Sequence, residues 1–144
     1  MSASDVSAEP RLTVALTFDH DAISSEVQRG DGPVSISRGE FGPRVGVPRI
    51  LALLERNGIA ATFFVPGHTL ATFPESVAAI VAAGHELGCH GWAHEDLATL
   101  TKVAERDVMK RSFAAFVTIL SADILYRRSR ARISAFVAGT APVL

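Results

Sequence analysis

Three short β-forming runs recur along the chain, and segments of helical period separate them. Leu12 to Phe18 (LTVALTF) alternates and is rich in β-formers, which predicts a strand. Ile59 to Val65 (IAATFFV) is apolar almost throughout and predicts a fully buried second strand. Glu86 to Cys89 is a shorter third. The order β, loop, α, β, α, β, α implies an α/β fold, with a parallel sheet and helices packed outside it. Three strands is few for such a sheet.

The intervening segments carry their own punctuation. Residues 22 to 44 hold Gly30, Gly32, Pro33, Gly39, Gly42 and Pro43, which predicts a long loop, and loops of that length are usually functional. A helix is expected from Pro48 to Asn57, burying Ile50, Leu51, Leu53 and Leu54 and stopped at Asn57-Gly58. Pro66-Gly67-His68 closes the second strand. Pro74 opens a further helix, with Val77, Ile80 and Val81 inward and Gly84 at its end. Thr101 reads as the N-cap of a helix to about Leu120, with Val103, Val108, Phe113, Phe116, Val117 and Leu120 as its apolar stripe.

The chemistry-bearing residues gather where these strands end. His90-Gly-Trp-Ala-His94 places two imidazoles at a strand end running into a loop, since Gly88 and Gly91 bracket the first of them. Two histidines make a weak metal site; a carboxylate from elsewhere makes a good one. Asp19-His20-Asp21 follows the first strand and offers that carboxylate. His68 also stands at a strand end. In a (β/α) barrel the active site lies at the strands' C-terminal ends.

Composition narrows the function classes. A 144-residue chain is one domain at most, and 48% hydrophobic residues supply material for a core. A net charge of -1 gives no reason to expect nucleic acid or an anionic membrane as partner. The single cysteine, Cys89, cannot form an intramolecular disulfide and reads as a small core residue. Residues 1–11 are polar and expected to be disordered, with neither the basic nor the apolar region of a signal peptide. No apolar run reaches the roughly 18 residues of a membrane span. A soluble cytoplasmic protein is therefore the default expectation.

The residues resemble a known family. Thr17-Phe-Asp-His-Asp21 looks like the first motif of the polysaccharide deacetylases (the NodB-homology, carbohydrate esterase 4 group), and His90 to His94 looks like their second. Ser37-Arg-Gly-Glu-Phe41, Ile59 to His68, Phe73-Pro-Glu75 and Ala83-Gly-His-Glu-Leu-Gly88 are phrased as in that family. The resemblance covers residues 12–120 and implies the N-terminal half of an irregular (β/α) barrel. It implies a metal-dependent hydrolase of non-peptide carbon–nitrogen bonds, either N-deacetylating a carbohydrate or opening a small cyclic amide or imide. The divalent ion would most often be zinc, with cobalt, manganese or nickel as alternatives.

The usual first motif has two adjacent acids, whereas here His20 stands in the second place and Asp21 follows. That resembles the branch with a D-x-D pattern, which includes enzymes likened to peptidoglycan deacetylases and cyclic-amide hydrolases. Carried over residue by residue, Asp19 matches the catalytic base, and Asp21, His90 and His94 match the metal ligands. His20 matches nothing obligatory and either lines the pocket or does not. His68 either contacts substrate or bonds locally, and His85 is expected on the surface.

The family's later motifs, which supply an Arg, a Pro and a further His, are not found. Tyr126-Arg127 is faintly similar to the third, without its following Pro. Residues 121–144 hold four Arg and one acid, against ten bases and fourteen acids before them. That change suggests truncation or a shifted reading frame; a natural basic tail is the alternative. The corresponding alternative for function is a catalytically inactive metal- or ligand-binding remnant. Open strand edges also make a homo-oligomer an expectation.

Overall fold

The computed structural model describes residues 12–137, with 120 and 122–137 described only by the helical path they follow. The expected disordered segment 1–11 lies outside these residues, as does the end of the tail from 138 on. Three parallel strands form one sheet in the order β1 (Thr17–Asp19), β2 (Thr62–Val65), β3 (Glu86–Cys89). The alternating order read from the sequence thus produces the α/β parallel sheet it implies.

The first strand is shorter than its alternation suggests. Leu12 and Val14 are exposed, and only Leu16, whose carbonyl accepts the Thr62 N–H at 3.1 Å, extends the ladder backwards. The reason lies in the partner: β2 begins at Thr62, so nothing in the described sheet faces residues 12–15. Ile59 is exposed for the same reason. Within β2 itself Phe63 and Val65 are buried while Thr62 and Phe64 are half-buried, so the strand is not dry on both faces.

Residues 22 to 44 are not the long loop expected. They form α1 (Ser24–Arg29), α2 (Pro33–Gly39) and the start of a π-turn, Gly42–Gly46, that leads into α3 (Val47–Asn57). The glycines and prolines mark helix ends here. Gly30 caps α1 at φ 70°, and Gly32 precedes Pro33 at the first position of α2, where a missing N–H costs nothing. Gly58 ends α3 in the same left-handed conformation. On α3 the inward stripe is Val47, Ile50, Leu51 and Leu54, at helical spacing, and Leu53 is exposed.

Two helices follow β2: α4 (Gly67–Thr72) and α5 (Pro74–Ala82), the latter burying Val77 and Ile80 completely. The last, α6 (Lys102–Val137), begins where Thr101 accepts the Ala104 N–H at 3.2 Å. It continues past Leu120 because residues 121–137 contain neither glycine nor proline. Its inward face is Val108, Ser112, Ala115, Phe116 and Ile119; Val103, Phe113 and Val117 are exposed. The bulky residues alone misplace that stripe, since its centre is a serine and an alanine.

The core lies on one face of the sheet. Phe63 and Val65 of β2 meet Val47 and Leu54 of α3, Leu70 of α4, Val77 and Ile80 of α5 and Phe116 of α6. Phe18, Leu87 and Cys89 pack against them from the flanking strands. Each fully buried member contributes about 1.5–3 kcal/mol. Strand alternation sends Thr17, Asp19, Thr62, Phe64 and Glu86 to the opposite face, where none is fully buried. Cys89 is half-buried, packing against the core from β3 rather than lying within it. No described helix is long and apolar enough to cross a membrane.

Candidate functional site

The sheet delivers three ligand-type side chains to one point. The ladder continues one residue beyond each strand: the His20 N–H donates to the Phe64 carbonyl at 2.8 Å, and the His90 N–H to the Val65 carbonyl at 3.2 Å. Asp21 and His90 therefore leave the sheet at neighbouring levels. His90 Nε2 lies 3.6 Å from Asp21 Oδ1, and His94 Nε2 lies 3.8 Å from Oδ2. The three donor atoms all fall within 4.8 Å of one another. The two imidazoles meet edge to face, with centroids 4.8 Å apart.

The loop that closes the site is pinned from several directions. Gly91 at φ 72° and His94 at φ 64° turn the chain back so that both rings can converge. A side chain at Gly91 would be strained by its positive φ, and its Cβ, within 2.9 Å of Glu95 Oε2, would push that carboxylate aside. The Glu95 carboxylate accepts the Trp92 and Ala93 N–H groups at 2.9 and 3.0 Å. From α4, the N–H groups of Gly67 and His68 donate to the carbonyls of Gly91 and Trp92 at 3.0 and 2.7 Å. The Arg111 guanidinium lies 3.6 Å over the Trp92 ring.

Asp21 Oδ1 and His90 Nε2 are buried and make no hydrogen bond within the described residues. At 3.6 Å they are too far apart to satisfy one another. An orphaned buried polar atom costs about 1–3 kcal/mol, and a shared cation would relieve both. Two imidazoles and a carboxylate suit a zinc-type ion, whose tetrahedral shell holds donors about 3.3 Å apart. The Asp21–imidazole distances of 3.6 and 3.8 Å need only a small contraction, while the widest separation, 4.8 Å, needs the two rings to swing together; with that rotation the residues fit such an ion. Burial raises the Asp21 carboxyl above the usual range; His94 and then His90 oppose this, while Asp19 and Glu26 add to it.

The remaining sequence candidates divide. Asp19 ends β1 on the exposed face, outside the three-residue cluster but close enough to act on Asp21 electrostatically. His20 turns away into the core. It is 4% exposed, bonds Ser76 Oγ through Nε2 at 2.9 Å, and is held neutral by burial, its pKa lowered to about 4. His68 bonds across to Ser24 Oγ of α1 at 3.3 Å, with its pKa lowered by burial and then by Arg111. His85 is not a surface residue: its ring packs on Phe63 at 5.6 Å and its Nδ1 is buried. It borders a cavity of about 600 Å³ at the opposite strand ends, away from the cluster. A smaller cavity, about 220 Å³, adjoins His90 and His94 and is floored by Cys89, Leu97 and Met109.

Sequence reasoning missed Glu95, Ser24 and Thr69. Glu95 had a signal, an acid directly after the second histidine. The other two are isolated hydroxyls in helices and belong to no motif.

Comparison with known proteins places this geometry in a family. A Helicobacter pylori peptidoglycan deacetylase is 41% identical over 104 residues, covering 70% of this chain and 36% of that protein. A solved Mycobacterium smegmatis structure assigned as a polysaccharide deacetylase is 37% identical at a TM-score of 0.66, covering 73% of this chain and 38% of that one. A solved allantoinase, PuuE, shares the fold at 23% identity and a TM-score of 0.67. The chain thus spans little more than a third of the length of the first two. The family model for polysaccharide deacetylase matches residues 7–131, a span that contains the strands, Asp19, Asp21 and both histidines, and the chain belongs to that family.

Proposed function

We propose that this chain carries the metal-binding and proton-accepting part of a hydrolase that removes N-acetyl groups from a carbohydrate. Asp21, His90 and His94 would hold the divalent ion, zinc being the best match to their donor set. The single observation that carries this reading is the convergence of their donor atoms within 4.8 Å, with two of them buried and unpartnered. Relatives named peptidoglycan deacetylase and chitin deacetylase support a carbohydrate amide over a small cyclic one.

When bound, the ion would supply the Lewis acidity that an amide carbonyl, a poor electrophile, requires, and would lower the pKa of a coordinated water. The chain's own residues do the rest. Asp21 brings the anionic donor, and its raised pKa falls back once a cation faces it. Asp19, a carboxylate outside the ligand set, accepts the proton of the attacking water. His20 takes no part, since its ring is turned into the core toward Ser76.

A second reading, a metal-binding remnant without turnover, has one observation in its favour. Arg111, the cation beside the loop, is engaged over the Trp92 ring and does not offer itself to a developing oxyanion. Acetate release from N-acetylglucosamine oligomers, measured with and without added Zn²⁺ or Co²⁺, separates the two. Release that needs the ion and vanishes in Asp19→Asn supports the hydrolase. One bound ion per chain with no ion-dependent release favours the remnant. No bound ion overturns both.

A further inference from the structure

Asp21 is the only anionic member of the cluster, yet it follows directly from the edge strand β1 and precedes Ala22, which sits at φ 52°. A carboxylate at such a kink needs something to hold its backbone. Its carbonyl is doubly bound: the Ser24 N–H donates at 2.9 Å and the Thr69 hydroxyl at 2.7 Å. Thr69 is fully buried and comes from α4, 48 residues away. Its hydroxyl also lies 2.8 Å from Ser24 Oγ, which in turn lies 3.3 Å from His68 Nδ1.

Proton counting fixes the direction of every bond in this chain. A backbone carbonyl only accepts, so Thr69 spends its one proton on Asp21. Thr69 Oγ1 must then accept from Ser24, whose single proton is thereby spent too. Ser24 Oγ can only accept from His68, which must carry its proton on Nδ1. We infer that Thr69 is a positioning residue for the metal ligand Asp21, and that the bonds behind it run one way, from His68 Nδ1–H to Ser24 Oγ and from Ser24 to Thr69 Oγ1. His68 consequently leaves Nε2 as its unprotonated nitrogen.

The inference rests on the metal-site reading for its first half and on hydrogen bonding alone for its second. Partners that orient a ligand typically alter metal affinity by 10–100-fold, and Thr69 acts through the backbone, so the lower end applies.

Two measurements on the whole chain test it: Co²⁺ affinity by competition with a chromophoric chelator, and the ¹⁵N shifts of His68 in the metal-free protein at pH 8. Thr69→Val should weaken Co²⁺ about tenfold. It should also release Ser24 to donate to His68, shifting the ring toward its Nε2–H form. Thr69→Ser should restore both properties. Ser24→Ala should keep Co²⁺ affinity near wild type, because the Thr69 donation remains, yet still change the His68 shifts. That split is one that general loosening of the fold would not produce, and Thr69→Ala, which also removes the hydroxyl, takes the place of Thr69→Val if the latter fails to fold. Asp21→Asn and His90→Ala test the site itself. If they weaken Co²⁺ and Thr69→Val does not, the positioning role is overturned while the site stands. If neither weakens it, the site reading falls and the positioning role with it. An Nε2–H tautomer in the unmodified chain overturns the relay.

Discussion

Gly67 opens α4 directly beneath the loop that carries His90 and His94, and replacing it with alanine tests how tightly that loop is seated. A Cβ at this position would lie 2.6 Å from Trp92 Cε3, 3.0 Å from Cζ3 and 3.1 Å from Ser112 Cα. Carbon atoms rest comfortably at about 3.5–4.0 Å, so something must yield by nearly an ångström. Ser112 Cα is backbone within α6. Trp92 is held by its own N–H and carbonyl bonds and has Arg111 against its ring. Overpacking of this kind costs about 1–3 kcal/mol. Alanine's better helix propensity returns at most about 1 kcal/mol. The expected net loss is therefore about 0–2 kcal/mol, read by urea unfolding in the presence of chelator. Because Trp92 stands between His90 and His94, Co²⁺ binding should weaken as well. Gly46→Ala is the control: at φ −63° its Cβ meets only the Phe41 carbonyl oxygen, at 3.8 Å. That change should stabilise by about 0.4–1 kcal/mol through the unfolded chain. If Gly67→Ala matches or exceeds Gly46→Ala in stability, the close packing of Trp92 on α4 is wrong.

The other predictions are shorter. His90→Ala and His94→Ala should each remove most of the bound metal measured by elemental analysis, whereas His85→Ala, at the far strand ends, should not; equal loss in all three would refute the ligand assignment. Asp19→Asn should keep the ion and lose ion-dependent acetate release, whereas Asp21→Asn should lose the ion, and the reverse pattern would exchange their roles. His20 is neutral in the fold down to about pH 4 but protonates near 6.5 once unfolded, so the unfolded state binds more protons between those values. Stability should then rise with pH across that window, by up to about 3 kcal/mol, and His20→Gln should flatten the rise; an unchanged slope in urea melts from pH 4 to 6.5 would show that another group carries it. β1 and β3 each leave one edge unpaired among the described residues, so the 144-residue chain should elute as oligomers in size-exclusion chromatography; a monodisperse monomer would show those edges covered.

The cluster was legible because its proposed ligands obey two local constraints at once. Each must follow a strand, so that it stands at the sheet's C-terminal edge, and each must be Asp or His. A run such as LTVALTF followed by Asp-His-Asp satisfies both in plain view, as does Cys89 followed by His90 to His94. The same alternation that located β1 also overstated it, since a strand extends only as far as its partner and β2 starts at Thr62. Residues 22–44 were misread for a related reason. Glycine and proline disfavour helix interiors but favour helix ends, and composition does not say which role each plays until φ is known, as at Gly30.

The supports of the site were illegible for a deeper reason. A ligand must be a particular residue type at a particular place, but whatever holds it need only supply a donor from any element that passes nearby. Thr69 reaches Asp21 from a different helix, and only its complete burial and its 2.7 Å bond mark it out. Ser112 likewise sits at the centre of the α6 face that packs on Gly67, where a search for bulky apolar residues passes over it. His20 shows the converse. It stands between two acids in the family motif, the position that most invites a catalytic role, yet strand alternation turns it to the core side while Asp19 and Asp21 remain on the other. Adjacency in a motif and adjacency in a site are different things when the motif lies on a strand. Here Asp19 and Asp21, two apart, share one side of the chain, and His20 between them packs into the fold against Ser76.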